Sequence, residues 1–462
     1  MDRRDLPDTK TRLAFTVYLA GDNNLSDEMV WNLQEMKAAA GEPAVREGVD
    51  VEALFDPRGG APRRYDFKAS AEPGSLPAAK PVRPKTENPA KLLKQLVALR
   101  PEGRRVLVLS GHGSSAVGDF LDDKTEATSL SIPRLGKILE RTPIDILGLD
   151  SCQMSTVEVG YEVSGSVAYL VASEGPVLNT GWPYRQVLAS VAENRTESSE
   201  AIARAVAESY LRFYRDYEIA GVSTDISVTD LSKIGLVGKA LRQLARALKE
   251  PLAKLAADGL DEAQESDENS PANEARAVRD VVVLAHWSAQ SYKCDRYTDV
   301  ADFAEQLLRF SAGQTGPAID EVRKAARGVL DSVAAAVTSS GTTGAELQHS
   351  HGLSIYFPWS SRDFFAEYKN LRFAAETGWK RFLEVYLGAT RRMRRFQASH
   401  LERENVPRKP LRMPEPEPDL SGTKDVEAGT RKDVEAGTRK GIVCRSTMKN
   451  PPDGYYPPLE RG

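Results

Sequence analysis

Cysteine is scarce in this chain of 462 residues: three occur, Cys152, Cys294 and Cys444. An odd, sparse set does not make a disulfide framework. The five histidines (His112, His286, His349, His351 and His400) do not join the cysteines at metal-ligand spacing. Charge of one sign is also missing. With 62 basic and 66 acidic residues the net charge is −4, which gives no reason to expect nucleic acid as a partner. No run of about 18 apolar residues occurs, so no membrane-spanning helix is expected. The opening segment, MDRRDLPDTKTRLAF, is charged and has no apolar stretch of signal-peptide length. A reducing cytoplasm is therefore the expected compartment, an expectation that an upstream segment would change. A Gly-x-Ser-x-Gly elbow and a phosphate-binding glycine loop are both absent from any strand–turn–helix setting. That argues against an α/β hydrolase or transferase acting on a non-peptide substrate.

What is present is ordinary globular composition, 41% hydrophobic and 28% charged, in a chain long enough for a large core. Apolar runs at 12–20, 49–55, 104–110, 144–150 and 167–174 read as strands. Between them, 26–36, 89–100 and 132–141 read as helices, with Asn24 or Ser26 as candidate caps for the first and Met29, Leu33 and Met36 facing inward. Residues 57–89 read as a long surface loop, rich in Pro, Gly and basic residues. Alternating strands and helices predict an α/β fold with a mainly parallel sheet covered on both faces, over about 10–195. Residues 196–390 read as mostly helical, with candidates at 197–218, 231–256, 275–291, 298–311, 315–338 and 371–387. Strand-like pieces at 223–228 and 352–358 interrupt them. From 391 to 462 the chain is basic, then Pro-rich, and it repeats KDVEAGTR at 424–431 and 432–439. Short polar repetition cannot bury a core, so this tail, and above all 405–462, is expected to be disordered.

Two of the predicted strands end in residues suited to nucleophilic catalysis. The run RRVLVLS leads into Gly111-His112-Gly113, and ILGLD leads into Ser151-Cys152. In an open parallel sheet ligands bind beyond the carboxyl ends of the strands. If the two strands are neighbours, imidazole and thiol leave the sheet at one edge. An imidazole beside a thiol can move its proton or favour the reactive thiolate. Glycine on both sides of His112 lets a substrate backbone pass close. Taken singly, a cysteine at a strand end is more often a small buried hydrophobe, and a histidine in a Gly-His-Gly turn is more often a loop residue.

At these residues the sequence resembles the clostripain-like cysteine peptidases, of the same clan as caspases, gingipains and legumain. The matching stretches are YLAGDNNL (18–25), LSGHGSS (109–115), LDSCQMSTVEVGYEV (149–163), VASEG (171–175), GWPY (181–184), DVADFAEQL (299–307), GLSIYFP (352–358) and TGWKRFLEVYL (377–387). The resemblance implies a caspase-like α/β/α sandwich that hydrolyses peptide bonds, the helical 196–390 region completing the peptidase. It implies Cys152 as nucleophile, His112 as acid/base partner in a dyad, and the N–H groups of Gly113 and Cys152 as the oxyanion hole. It also implies Asp150, two before the nucleophile, in the pocket for the side chain preceding the cut. A carboxylate there selects Arg or Lys. The alternative for Asp150 is structural, hydrogen-bonding the 111–115 loop. Glu174 could add a second negative charge to the pocket, or equally form a salt bridge with a neighbouring loop.

Other residues receive plainer readings. Glu158 and Glu162, four apart, read as one solvated or salt-bridged helix stripe. Met154 reads as core packing, and Cys294 and Cys444 receive no role. His349 and His351 are two histidines alone, too few for a metal site, and no metal site is assigned. No cofactor is required on this reading. Calcium is the one option left open, through Asp119, Asp122 and Asp123, whose more ordinary reading is solubilising charge. The resemblance to family members made as precursors points to Lys124-Thr125, in the loop 118–130, as a self-processing site. Arg431 and Arg439 in the repeats could be trimmed or could fill the cleft, against the plainer reading of a functionless extension. The expected partners are a protein or peptide with Arg or Lys before the cut, and a regulatory protein, since an uncontrolled peptidase of this kind would be hazardous. The alternative function is a catalytically silent caspase-like scaffold or regulator, for which the dyad should be broken.

Overall fold

A strand that is apolar at every position needs cover on both faces, and the middle of this chain has such strands. The computed structural model describes residues 13–67, 76, 79–82, 88–99, 103–118, 120–121, 129–258, 271–292 and 295–390. Lys124, the acidic trio Asp119, Asp122 and Asp123, Cys294, Cys444 and the repeat-bearing tail from residue 391 lie outside the described residues.

The central sheet is built from β1 (Leu13–Gly21), β2 (Val49–Pro57), β3 (Arg63–Asp66), β4 (Lys80–Pro81), β5 (Arg105–Ser110), β6 (Ile144–Asp150), β7 (Val167–Ala172), β8 (Thr224–Asp230) and β11 (Val337–Thr343). Their order across the sheet is β11-β8-β7-β6-β5-β1-β2-β3-β4. β2, β1, β5, β6 and β7 run parallel, and antiparallel strands extend both edges. A small antiparallel sheet of β9 (Ser291–Tyr292), β10 (Tyr297–Asp299) and β12 (Ser354–Tyr356) has the order β12-β10-β9.

Side chains alternate across a strand, so each parallel strand feeds two cores. Leu107, Leu109, Leu147 and Leu149 belong to one apolar cluster, and Val106, Val108 and Ile146 to another. The second cluster is closed by α1 (Ser26–Gly41), α2 (Pro43–Gly48), α6 (Tyr184–Glu193) and α7 (Ser199–Arg215). The first is closed by α3 (Pro89–Ala98), α4 (Ile132–Leu139), α5 (Val157–Val163), α8 (Ile234–Asp258), α9 (Pro271–Ser288), α10 (Val300–Ser311), α11 (Pro317–Ala336), α12 (Arg372–Thr377) and α13 (Trp379–Ala389). This is an α/β/α arrangement, and the inward positions expected in α1 hold: Met29, Leu33 and Met36 are all buried.

Several expectations need correction. The helix expected over 315–338 stops at Ala336, and Val337–Thr343 forms the half-exposed strand β11 against β8. A segment of Val, Thr and Ser tolerates an edge position, where one side faces water. The helix expected over 371–387 is two helices, because Gly378 at φ 74° turns the chain between them. The surface loop expected at 57–89 contributes the short edge strands β3 and β4. α6, which forms at the end of GWPY, was not expected. Neither Asn24 nor Ser26 caps α1, whose start carries no side-chain cap; the Ser26 hydroxyl instead accepts from the Arg58 N–H.

Packing is tight where β6 meets the Trp182 ring, just ahead of α6. A methyl group at Gly148 would stand 2.6 Å from the Trp182 ring and 3.1 Å from Val108. Gly148→Ala is therefore expected to destabilise the protein by about 1–3 kcal/mol through overpacking, read as a lower urea midpoint with unchanged slope. An unchanged midpoint would show that the Trp182 ring moves aside freely.

Candidate active site

The strand register decides where the chemistry lies. β1, β5 and β6 pair in parallel, with Leu19 opposite Ser110 and Ser110 opposite Asp150. The two residues that follow Ser110 and Asp150 therefore leave the sheet side by side. β2 lies on one side of β1 and β5 on the other, so the chain reverses direction across the sheet at this point. That is where an open parallel sheet forms a crevice at its carboxyl edge. The crevice here is a cleft of about 350 Å³, and its lining includes His112, Cys152, Asp150, Val177 and Gly181. The structure thus brings the predicted pair His112 and Cys152 into one cleft, with Asp150 beside them.

Gly113 shows how closely the two loops pass. A side chain there would begin 2.4 Å from the Cys152 carbonyl oxygen and 3.0 Å from the Cys152 nitrogen. Only glycine allows the approach, so the backbone of the His112 loop rests directly on that of the cysteine loop. The cysteine turn is itself held. Gln153 adopts φ 60°, uncommon for a residue with a side chain, and its N–H donates to the Gly175 carbonyl at 2.8 Å. Cys152 is half-buried and not in a disulfide. Its Sγ lies 3.3 Å from the Val177 nitrogen and 3.4 Å from the Val177 oxygen. An N–H aimed at the sulfur stabilises negative charge on it.

Asp150 lies at the base of the cleft. It is buried, and its Oδ2 accepts hydrogen bonds from the Ser110 hydroxyl and the Tyr184 hydroxyl, each at 2.9 Å. Burial pushes its carboxyl up to about 6, and these two hydroxyls and the Trp182 backbone N–H hold it from rising further. Oδ1 makes no hydrogen bond of sound geometry among the described residues. Gly181, at φ 67°, brings its backbone against the carboxylate, where a methyl group would stand 2.7 Å from Oδ2. Leu25, Met29 and Leu178 supply apolar wall, and Asn32 and Asn179 polar wall. Asn32 also donates to the Thr180 carbonyl at 2.9 Å, which ties α1 to the loop forming the far side. A cleft of mixed polar and apolar wall with a buried carboxylate in its lining can receive a long side chain with a positive end.

Glu174 is not brought to the cleft. It is buried at the end of β7, where Oε2 accepts the Gly352 N–H at 2.7 Å. Burial first, then the nearby Asp299 and Asp225, raise its carboxyl well above the usual range. Asp225 in turn accepts from the N–H groups of Glu174 and Gly175, at 2.7 Å each. His351 pairs with Asp299 at 3.2 Å, which lifts its imidazole to about 9. Glu158 corrects another expectation. It is fully buried, because the segment around 354–368 lies over α5, and it accepts from the Tyr356 N–H at 3.0 Å and the Tyr368 hydroxyl at 2.9 Å. Burial raises it to about 7. Met154 is buried in the core as expected. Among the described residues no group of three or more His, Cys, Asp and Glu side chains is arranged to hold a metal ion. No described helix is long and apolar enough to cross a membrane.

Sequence reasoning missed Ser110, Tyr184, Asn32 and Val177, although Ser110 and Tyr184 sit inside the quoted motifs LSGHGSS and GWPY. It also missed Asn24, whose Oδ1 lies 2.8 Å from His112 Nε2.

A family model described as the clostripain family matches residues 17–386 of this chain. Solved structures of similar fold include an inactive zymogen C11 protease from Parabacteroides distasonis, at 19% identity and TM-score 0.55 over 80% of this chain and 99% of that one. A secreted C11 cysteine protease from Bacteroides thetaiotaomicron, bound to an irreversible peptide inhibitor, aligns at 17% identity and TM-score 0.57 over the same shares of the two chains. No curated protein sequence matches the chain significantly.

The close approach at Gly113 is testable without touching a titratable group. Gly113→Ala must displace the Cys152 backbone. It is expected to lower turnover of any substrate processed in this cleft by about 100-fold, the scale of a displacement near 1 Å. The melting temperature should change by only a few degrees. Turnover equal to that of the parent would show that the two loops can separate without consequence.

Proposed function

The chain belongs to the clostripain family of cysteine peptidases, and from that premise we propose that it is an endopeptidase cutting after Lys or Arg, with Cys152 as nucleophile and His112 as acid/base. The observation that carries the reading is the pairing of Ser110 with Asp150, which sends His112 and Cys152 into one cleft over a buried carboxylate.

The chemistry follows in two halves. The Cys152 thiol proton passes to His112, and the sulfur forms a bond to the scissile carbonyl carbon while the π pair moves to oxygen. The N–H groups of Gly113 and Cys152 face that oxyanion. Its collapse breaks the C–N bond, and His112 returns the proton to the departing amine. Water then gives a proton to His112 as its oxygen attacks the thioester carbon and the π pair moves to oxygen; collapse breaks the C–S bond to release the acid, and His112 returns its proton to the sulfur to restore the thiol. Asp150 receives the ammonium or guanidinium of the residue before the cut. With Oδ2 already accepting from Ser110 and Tyr184, Oδ1 is the oxygen left to meet it.

Lys124-Thr125 is the proposed self-processing site, being a basic residue in the interval between His112 and Cys152. A precursor form is in keeping with the structural relative described as an inactive zymogen. An intact mass for a fully active preparation would remove this part. Assays with added calcium and with a chelator test the calcium option.

Fluorogenic peptides ending in Lys, Arg or Asp test the main reading. Hydrolysis is expected after Lys and Arg, and Cys152→Ala or His112→Ala should each abolish it. Activity that survives Cys152→Ala would refute the assignment, and a preference for Asp would refute the role of Asp150.

The pH dependence has a definite sign. Asp150, raised to about 6, is charged only above that value. kcat/KM for Lys and Arg peptides should therefore climb as pH rises through about 6. Stability runs the other way. Because the folded value lies above the unfolded 3.8, the carboxyl's favourable contribution is complete below 3.8 and is lost as pH rises through about 6. Asp150→Asn should thus raise the melting temperature at pH 8 while lowering kcat/KM for basic substrates by the equivalent of roughly 2–5 kcal/mol in activation free energy, the usual cost of removing one partner from a buried charge pair. Unchanged selectivity in this variant would exclude Asp150 as the specificity group.

A further inference from the structure

We propose that Asn24 is a positioning residue for His112, one that selects the ring tautomer the thiol needs and steadies the charge the ring acquires. The proposal rests on the reading of His112 and Cys152 as the working pair.

Asn24 follows β1 in the turn Asp22-Asn23-Asn24-Leu25. Asn23 does the structural work of that turn. It is fully buried, donates to the Ala20 carbonyl at 2.9 Å, and accepts the Leu25 N–H at 2.9 Å. Asn24 is exposed and caps nothing, since α1 begins without a side-chain cap. Its amide turns instead to the ring, with Oδ1 2.8 Å from His112 Nε2. Both residues stand on rigid supports. β1 and β5 are paired as far as Leu19 and Ser110, and a methyl group at Gly111 would meet Ala20 at 3.2 Å. The turn at the end of β1 and the His112 loop are therefore held in contact by the sheet.

An amide oxygen carries no hydrogen, so the proton of a neutral ring sits on Nε2 and Nδ1 keeps its lone pair. Nδ1 is then the nitrogen that can take the thiol proton. Once it has done so, the ring is cationic, and the Nε2–H···Oδ1 bond becomes charge-assisted and stronger. The contact thus favours the charged intermediate over the resting state, as a catalytic contribution requires. A neutral acceptor also leaves the ring able to give its proton back to the amine. A carboxylate in the same place would hold that proton more firmly. Had the amide nitrogen faced the ring instead, the proton would lie on Nδ1, and the ring could not receive the thiol proton there.

Asn24→Ala and Asn24→Asp test this, with melting curves as the check on folding. Asn24→Ala is expected to lower kcat/KM about tenfold, a fraction of the contribution usual for general acid–base catalysis. The loss should fall on kcat, with KM little changed. Asn24→Asp should retain most of the activity and move the limb of the pH profile governed by His112 to higher pH. Nitrogen-15 spectra of His112 should show the proton on Nε2 in the parent, and its redistribution between the two nitrogens in Asn24→Ala. A parent spectrum with the proton on Nδ1, or one that Asn24→Ala leaves unchanged, would overturn the proposal. Equal impairment of both variants with an unmoved pH profile would also overturn it, because that is what a merely structural role gives. Activity surviving Cys152→Ala would instead remove the dyad reading, and the His112 spectrum would still decide the role of Asn24 separately.

Discussion

The parallel pairing of Ser110 with Asp150 is the constraint on which everything else in the cleft depends. It sends two loops off one edge of the sheet in step, and it sets the Ser110 hydroxyl within 2.9 Å of the Asp150 carboxylate. A slip of one residue would turn the side chains of β6 to the opposite faces and bury the wrong set. The two-sided core prevents that slip. Leu147 and Leu149 are committed to one apolar cluster and Ile146 to the other. The register is thus held by burial along the strands, and the cleft inherits it.

Burying a carboxylate under the cleft is costly unless it is hydrogen-bonded, and the molecule meets that cost only in part. Ser110 and Tyr184 satisfy Oδ2, while the buried Oδ1 has no partner of sound geometry among the described residues. Other buried acids are met to different degrees. Asp225 is satisfied at both oxygens by two backbone N–H groups, while Glu158 accepts from Tyr356 and Tyr368 at Oε1 alone. Both fasten distant segments to the frame.

The parallel sheet was legible in the sequence because its central strands are continuous apolar runs, and the pair His112 and Cys152 was legible because each stands just past such a run. The outer strands were not. β11 is the polar segment VTSSGTT, and only its pairing with β8 makes it a strand. Glu158 and Glu162 illustrate a second limit. Four-residue spacing places them on one side of α5, but whether that side meets water depends on a segment some 200 residues later, and that segment buries Glu158. Glu174 was placed correctly at the end of β7, yet the sequence carries no sign that it turns toward Asp225 and Gly352 and away from the cleft. Asn24 reads, with Ser26, as a candidate helix cap, and nothing local distinguishes it from Asn23, the residue that closes the turn, as the one that reaches His112.

Loops carry this site, and loops are ordinarily the mobile part of a domain. Here the loop after β7 is tied at each stage. Ser173 and Glu174 hold Asp225 at its start, the Gly175 carbonyl holds the Gln153 N–H, and Val177 meets the Cys152 sulfur. Further on, the Thr180 carbonyl takes a bond from Asn32, and the Gly181 carbonyl takes one from the Tyr214 hydroxyl at 2.5 Å. The ties come from four elements: β8, the cysteine turn, α1 and α7. α7 and β8 therefore hold this wall of the cleft from outside, since none of their residues lines it. A substitution at Asp225 or Tyr214 would act on that wall through the Glu174–Val177 segment and Gly181, although neither residue itself lines the cleft.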